Sequence, residues 1–188
     1  MSLDTSPYIE DCVFADETPE NVLLYNICVK GYSEYLLFMI STGIDVNRTI
    51  YRTWTPLMVA ADAGRVNIVN ILIAHGADLE KLDELNSTAL LLATLNNNVE
   101  VVENLIRAGA NVDRADLSDE TPLFIACKKG YFYLVKILIQ AGADFRRVNY
   151  NQETPYYIAF KNHHYELAEK IYQIIYREKK AEIKASLI

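Results

Sequence analysis

Cysteine, histidine and clustered carboxylates are the side chains that could do chemistry in this 188-residue chain. A nucleophilic thiol needs a neighbouring base or a positive environment, and a metal needs ligands that converge. Cys12, Cys28 and Cys127 form no Cys-x-x-Cys pair. Cys127 falls on an apolar stripe and reads as a small core residue, not a nucleophile. His163 and His164 are adjacent. On a helix they point apart and cannot share one metal. His75 directly precedes Gly76, a common place for a polar residue at the end of a helix. There is no glycine-rich phosphate loop and no His-Glu-x-x-His. Asp and Glu are scattered along the chain and read as a solvated face. These residues predict no catalytic centre, no metal and no cofactor: a non-enzyme.

Composition narrows the partners. The chain is 51% apolar, enough for a continuous core, and carries a net charge of −7. An acidic chain is a poor ligand for nucleic acid and for anionic membrane surfaces. The apolar run Tyr35–Ile40 is far too short to span a bilayer, so no membrane insertion is expected. The start, Met-Ser-Leu-Asp, has no basic region or apolar core and predicts no signal peptide. An odd, scattered cysteine set predicts a reducing compartment, the cytoplasm.

The elements that must position everything else are repeated. Thr55, Thr88, Thr121 and Thr154 are each 33 residues apart, and so are Gly43, Gly76, Gly109 and Gly142. Two markers with one period and no slippage predict a repeat array. Within a unit, Thr caps a first helix and Pro opens it. Ala60-Ala61 keep that helix narrow, and Gly64 turns the chain. Ile68, Val69, Leu72 and Ile73 mark the apolar stripe of a second helix, which Gly76 ends. Helix pairs this short cannot bury their faces alone, so they must stack.

Thr-Pro-Leu, Ala-Ala, Gly, Ile-Val, Leu and Gly-Ala-Asp in a 33-residue unit resemble the ankyrin repeat, over about residues 20–176. The resemblance implies an all-α solenoid of about five helix-turn-helix units with short β-hairpin tips. Residues 1–17 are read as an arm or cap, 18–176 as the repeat domain and 177–188 as an extension of the last helix. In the first repeat, Leu23, Leu24, Ile27 and Cys28, then Tyr35, Leu36, Met39 and Ile40, are expected in the core. The last repeat, with His163 at its turn, is expected to close the array. Where the family has glycine before Thr-Pro, this chain has Thr53, Asn86, Asp119 and Gln152. Asn and Asp tolerate that turn; Thr53 and Gln152 predict irregular first and last tips.

The resemblance implies a protein partner held on a concave face of tips and first helices. By position that face contains Tyr51, Arg52 and Trp54, then Glu84 and Leu85, then Leu117, Ser118 and Glu120, then Tyr150, Asn151 and Glu153. First helices add Asp62, Lys128 and Lys129, giving an acidic rim above a lysine floor. For Trp54 two placements are open: an exposed anchor, or packing beside the Thr-Pro turn. Thirteen tyrosines are many for this length. Tyr131 and Tyr165 head a C-terminal cluster that would be a cap, a recognition patch or a homodimer contact. The function expected is a scaffold or adaptor. The alternatives are a regulatory or effector protein that covers one partner's site and, last, an enzyme or small-ligand binder. A narrower resemblance rests on Trp54-Thr55-Pro56-Leu57-Met58 and Lys161-Asn162-His163-His164-Tyr165-Glu166. They are similar to the ankyrin block of the germline ankyrin, SAM and leucine-zipper proteins of piRNA biogenesis. That would imply a piece of a scaffold at the cytosolic face of mitochondria.

Overall fold

A computed structural model describes residues 18–186, with backbone alone at 178, 179 and 181–186. The arm or cap expected over residues 1–17, and Cys12 with it, lies outside the described residues. The described residues form helix pairs: α1 (Pro19–Lys30) with α2 (Ser33–Ser41), and α3 (Pro56–Asp62) with α4 (Val66–Ala74). Then come α5 (Ala89–Leu95) with α6 (Val99–Arg107), and α7 (Pro122–Lys129) with α8 (Phe132–Gln140). The last pair is α9 (Pro155–Lys161) with α10 (Tyr165–Ser186).

Every first helix starts by the same chemistry. The Oγ1 atoms of Thr18, Thr55, Thr88, Thr121 and Thr154 each accept from the backbone N–H three residues on, at 3.1–3.3 Å. Each bond satisfies one of the N–H groups left over at a helix start. Proline follows the threonine in all but α5, and at this first helical position its missing N–H costs nothing. The turn to the second helix needs a left-handed residue. Gly31, Gly64 and Gly130 supply it, and Asn97 (φ 57°) and His163 (φ 65°) adopt it in the other two units.

Stacking uses one register throughout. First helices lie side by side from α1 to α9, and second helices do so from α2 to α8. Ala60, Ala93, Ala126 and Ala159 are fully buried where first helices touch, as their size allows. Leu72, Leu105 and Leu138 are fully buried in the second helices. Arg65, Asn98, Tyr131 and His164 lean back onto the turn of the preceding unit. Arg65 Nε donates to the Val29 carbonyl at 2.6 Å, and Asn98 Nδ2 to those of Ala61 and Asp62 at 2.8 and 2.9 Å. Tyr131 Oη donates to Leu95 at 3.5 Å. These bonds serve carbonyls that the end of a first helix leaves without an intrahelical partner. The His164 ring lies so close to Gly130 (φ 74°) that a Cβ there would meet Cε1 at 2.5 Å.

The core expected in the first repeat is corrected. Tyr35 is 41% exposed, whereas Ile68, Val101 and Leu134 at the same register are buried. That register faces the preceding unit, and α2 belongs to the first unit described. Leu23 and Ile40 are only partly buried; Ile40 shares this with Ile73, Ile106 and Ile139, because that register lies at the edge of the apolar stripe in every unit. The hairpin tips carry no strand among the described residues; an isolated bridge between Tyr51 and Trp54 is the only β pairing there.

Cys28 and Cys127 are free and fully buried, as the core reading requires. Burial pushes the Cys28 thiol up to about 12, and raises that of Cys127 as well. Both are therefore neutral and shielded at physiological pH. A maleimide reagent should leave both unlabelled in the native protein and label them after urea unfolding, read by mass spectrometry. Rapid labelling of Cys127 in the native state would contradict its place in the core.

Candidate protein-binding surface

The tips are built on a short polar side chain that sequence reasoning passed over, buried at Asp83 and Asn149 and half-buried at Asp116. Asp83 Oδ1 accepts from the N–H groups of Leu85 and Ser87 at 2.8 and 2.7 Å. Asp116 Oδ1 does the same for Ser118 and Glu120 at 2.8 and 2.9 Å. Asn149 Oδ1 serves Asn151 and Glu153 at 3.0 and 2.9 Å. Short Asx side chains are suited to this role. Each turn closes with an N–H to the carbonyl of that residue: Asn86 to Asp83, Asp119 to Asp116 and Gln152 to Asn149, at 2.9–3.1 Å. Asn86, Asp119 and Gln152 all sit at φ near 60°.

At the first tip the anchor position holds Ile50, which is fully buried and offers no side-chain acceptor. The turn moves by one residue: Trp54 N–H donates to the Tyr51 carbonyl at 2.7 Å, and Arg52, not Thr53, takes the left-handed conformation. The irregular first tip is found. The irregularity expected at the last tip is not, because Asn149 holds Gln152 in the ordinary pattern.

Adjacent tips are joined. Leu117 N–H donates to the Leu85 carbonyl at 3.0 Å, and Tyr150 N–H to that of Ser118 at 2.9 Å. Glu84 N–H reaches Thr53 Oγ1 at 3.0 Å. Below them, Asp78 N–H donates to Asn47, Asn111 N–H to Glu80 and Asp144 N–H to Asp113, at 2.7–2.9 Å. The result is a ledge spanning the units. It presents Leu85, Leu117 and Tyr150, which are 63, 58 and 77% exposed. Glu84, Ser118 and Asn151 are exposed beside them.

A family model described as ankyrin repeats (3 copies) matches residues 23–116 and again 90–184. The chain belongs to the ankyrin-repeat family. Ankyrin repeats generally mediate protein–protein interaction and are typically non-enzymatic. A search of curated proteins finds no match, and the narrower resemblance to the germline piRNA proteins has no support.

In this ankyrin array the remaining candidate residues divide by burial. Arg52 is exposed, its guanidinium 5.5 Å from the Tyr51 ring. Tyr51 is half-buried against Tyr25, with ring centroids 5.4 Å apart. Trp54 is also half-buried, packed on the core. The rim and floor charges meet each other: Lys128 Nζ lies 2.8 Å from Glu120, and Lys161 Nζ 2.6 Å from Glu153, one unit on. Hydrogen bonds from Lys161 and Asn149 hold the Glu153 carboxyl below its usual range, and Glu153 raises Lys161 in turn. Lys129 is exposed. Asp62 is half-buried and accepts from Asn96 Nδ2 at 2.6 Å. Burial pushes its carboxyl up, and the Asn96 bond opposes that. Tyr131 is half-buried over the preceding turn. Tyr165 is exposed on the last unit, with its Oη 2.7 Å from His163 Nδ1 and its ring against Phe160.

No group of three metal-capable side chains occurs among the described residues. No described helix is long and apolar enough to cross a membrane.

Losing an anchor should be felt. Asp83→Ala leaves the N–H groups of Leu85 and the buried Ser87 without their acceptor and should cost about 1–3 kcal/mol, whereas Asp83→Asn keeps the acceptor and should cost less. Urea denaturation of the two variants checks this; equal losses would show that the carbonyl oxygen of the side chain is not what matters.

Proposed function

We propose that this ankyrin array is a scaffold or adaptor that holds a protein partner on the tip ledge and the adjoining first helices. One observation carries the reading. Leu85, Leu117 and Tyr150 stand exposed on three successive tips that backbone hydrogen bonds fix in relation to one another. Tyr and Arg are the usual anchors of interfaces, and apolar side chains such as Leu85 and Leu117 on a rigid base add buried area at little cost in entropy. Arg52, at the end of the ledge, supplies a cation for a carboxylate of the partner. Glu120 and Glu153 already neutralise lysines, so they contribute less to recognition than the apolar line does. The free, buried thiols are in keeping with a cytoplasmic protein.

A photo-crosslinking amino acid at Leu85, Leu117 or Tyr150 should give a covalent adduct with the partner in source cells. The same group at Asn67, exposed on α4, should give none. Adducts at Asn67 in place of the tips would overturn the reading.

A further inference from the structure

The row of second helices closes at each step except the last. α2 packs on α4, α4 on α6 and α6 on α8, but α10 packs on α9 without packing closely on α8. Phe132 stands at the start of α8 where Val66 and Val99 start α4 and α6, and its bulk fits the wider spacing. Between α8 and α10 runs a groove of about 420 Å³. Phe132, Val135, Ile139, Leu167, Ile171 and Ile174 line it, and Lys136 and Lys170 stand at its edge. None of these residues belongs to a tip or to a first helix.

The charge at this groove runs against that of the chain, which is −7 overall. Lys136 has no carboxylate partner among the described residues. Lys170 lies 4.7 Å from the Phe132 centroid and only 3.8 Å from the highly exposed Glu166 carboxylate, a loose contact. An apolar floor with cationic edges is complementary to one kind of ligand.

We propose that the α8–α10 groove docks an amphipathic segment of a partner protein that carries apolar side chains flanked by carboxylates. The volume falls within the ~300–1,000 Å³ of ordinary binding sites and admits a few apolar side chains. Docking an apolar helix face in such a groove is a recurrent mode of recognition. Phe132, Ile139 and Ile174, which keep exposed surface over the buried Val135, Leu167 and Ile171, supply affinity by leaving water, and the lysines supply orientation and rate by meeting carboxylates. A segment with flanking lysines would set like charges together and be refused. This second surface would let one array hold two partners at once.

The test uses the full chain and two fluorescein-labelled helical peptides with leucine at helical spacing, one flanked by glutamate and its twin by lysine. The glutamate peptide should bind and shift the methyl resonances of Ile139, Ile171 and Ile174. Lys136→Glu with Lys170→Glu should weaken it about tenfold or more while leaving circular dichroism unchanged, and should let the lysine twin bind. The proposal is overturned if the glutamate peptide fails to bind or is unaffected by the lysine reversals. It is equally overturned if binding is lost on replacing Leu85 and Tyr150 instead. A dimer in sedimentation that the lysine reversals dissociate would make a second copy the occupant, which also overturns it.

Discussion

Leu72→Ala and Leu138→Ala should each lower the unfolding free energy by about 2–5 kcal/mol. Both side chains are fully buried, at the same register of α4 and α8, and Leu105 repeats the arrangement in α6. Truncation leaves a cavity that these helices cannot close, because α4 is held by α2, α3 and α6, and α8 by α6 and α7. A domain has only about 5–15 kcal/mol of stability to lose. In a linear array the loss also weakens coupling between units, since each unit touches only the next. Urea denaturation followed by circular dichroism should show a lower midpoint for both, or a second transition as the units uncouple. A change below ~1 kcal/mol in both would show that the stripe is misassigned.

The second large effect is on binding. Replacing Leu85, Leu117 and Tyr150 together with serine should reduce affinity for the partner by about a hundredfold or more, because buried anchors are each worth ~2 kcal/mol or more. The same changes should alter stability little, since exposed substitutions stay within about 0.5 kcal/mol each. The side chains are not needed for the turns: the anchors Asp83, Asp116 and Asn149 and the backbone bonds between tips remain. Trp54 would be a poorer probe, because its ring packs on the core and its loss would mix stability with binding.

What could be read from the sequence follows from whether it was a local property. The Thr-Pro helix starts, the alanines where helices touch and the left-handed glycines are each set within one unit, and the 33-residue period repeats each of them along the chain. The tip anchors repeat with that same period, as Asp83, Asp116 and Asn149, yet they read as polar surface residues because their partners are backbone N–H groups. The signal was present in Ile50, the one anchor position with an apolar residue, and it also explains why Arg52 and not Thr53 turns the first tip. The pairs Lys128–Glu120 and Lys161–Glu153 join the end of a first helix to the tip before it, so the acidic rim and lysine floor that spacing suggested meet as ion pairs. Contacts between units, such as His164 over Gly130, depend on the stacking distance and cannot be read from one unit alone.

The most direct measurement is the affinity of the partner, captured by photo-crosslinking at the tips, for the wild-type chain and for the triple serine variant at Leu85, Leu117 and Tyr150. Titration calorimetry at one salt concentration, with circular dichroism on both proteins, suffices. The ledge account predicts unchanged helicity and a loss of about a hundredfold or more. A variant that keeps its helicity and binds as tightly as wild type would contradict it.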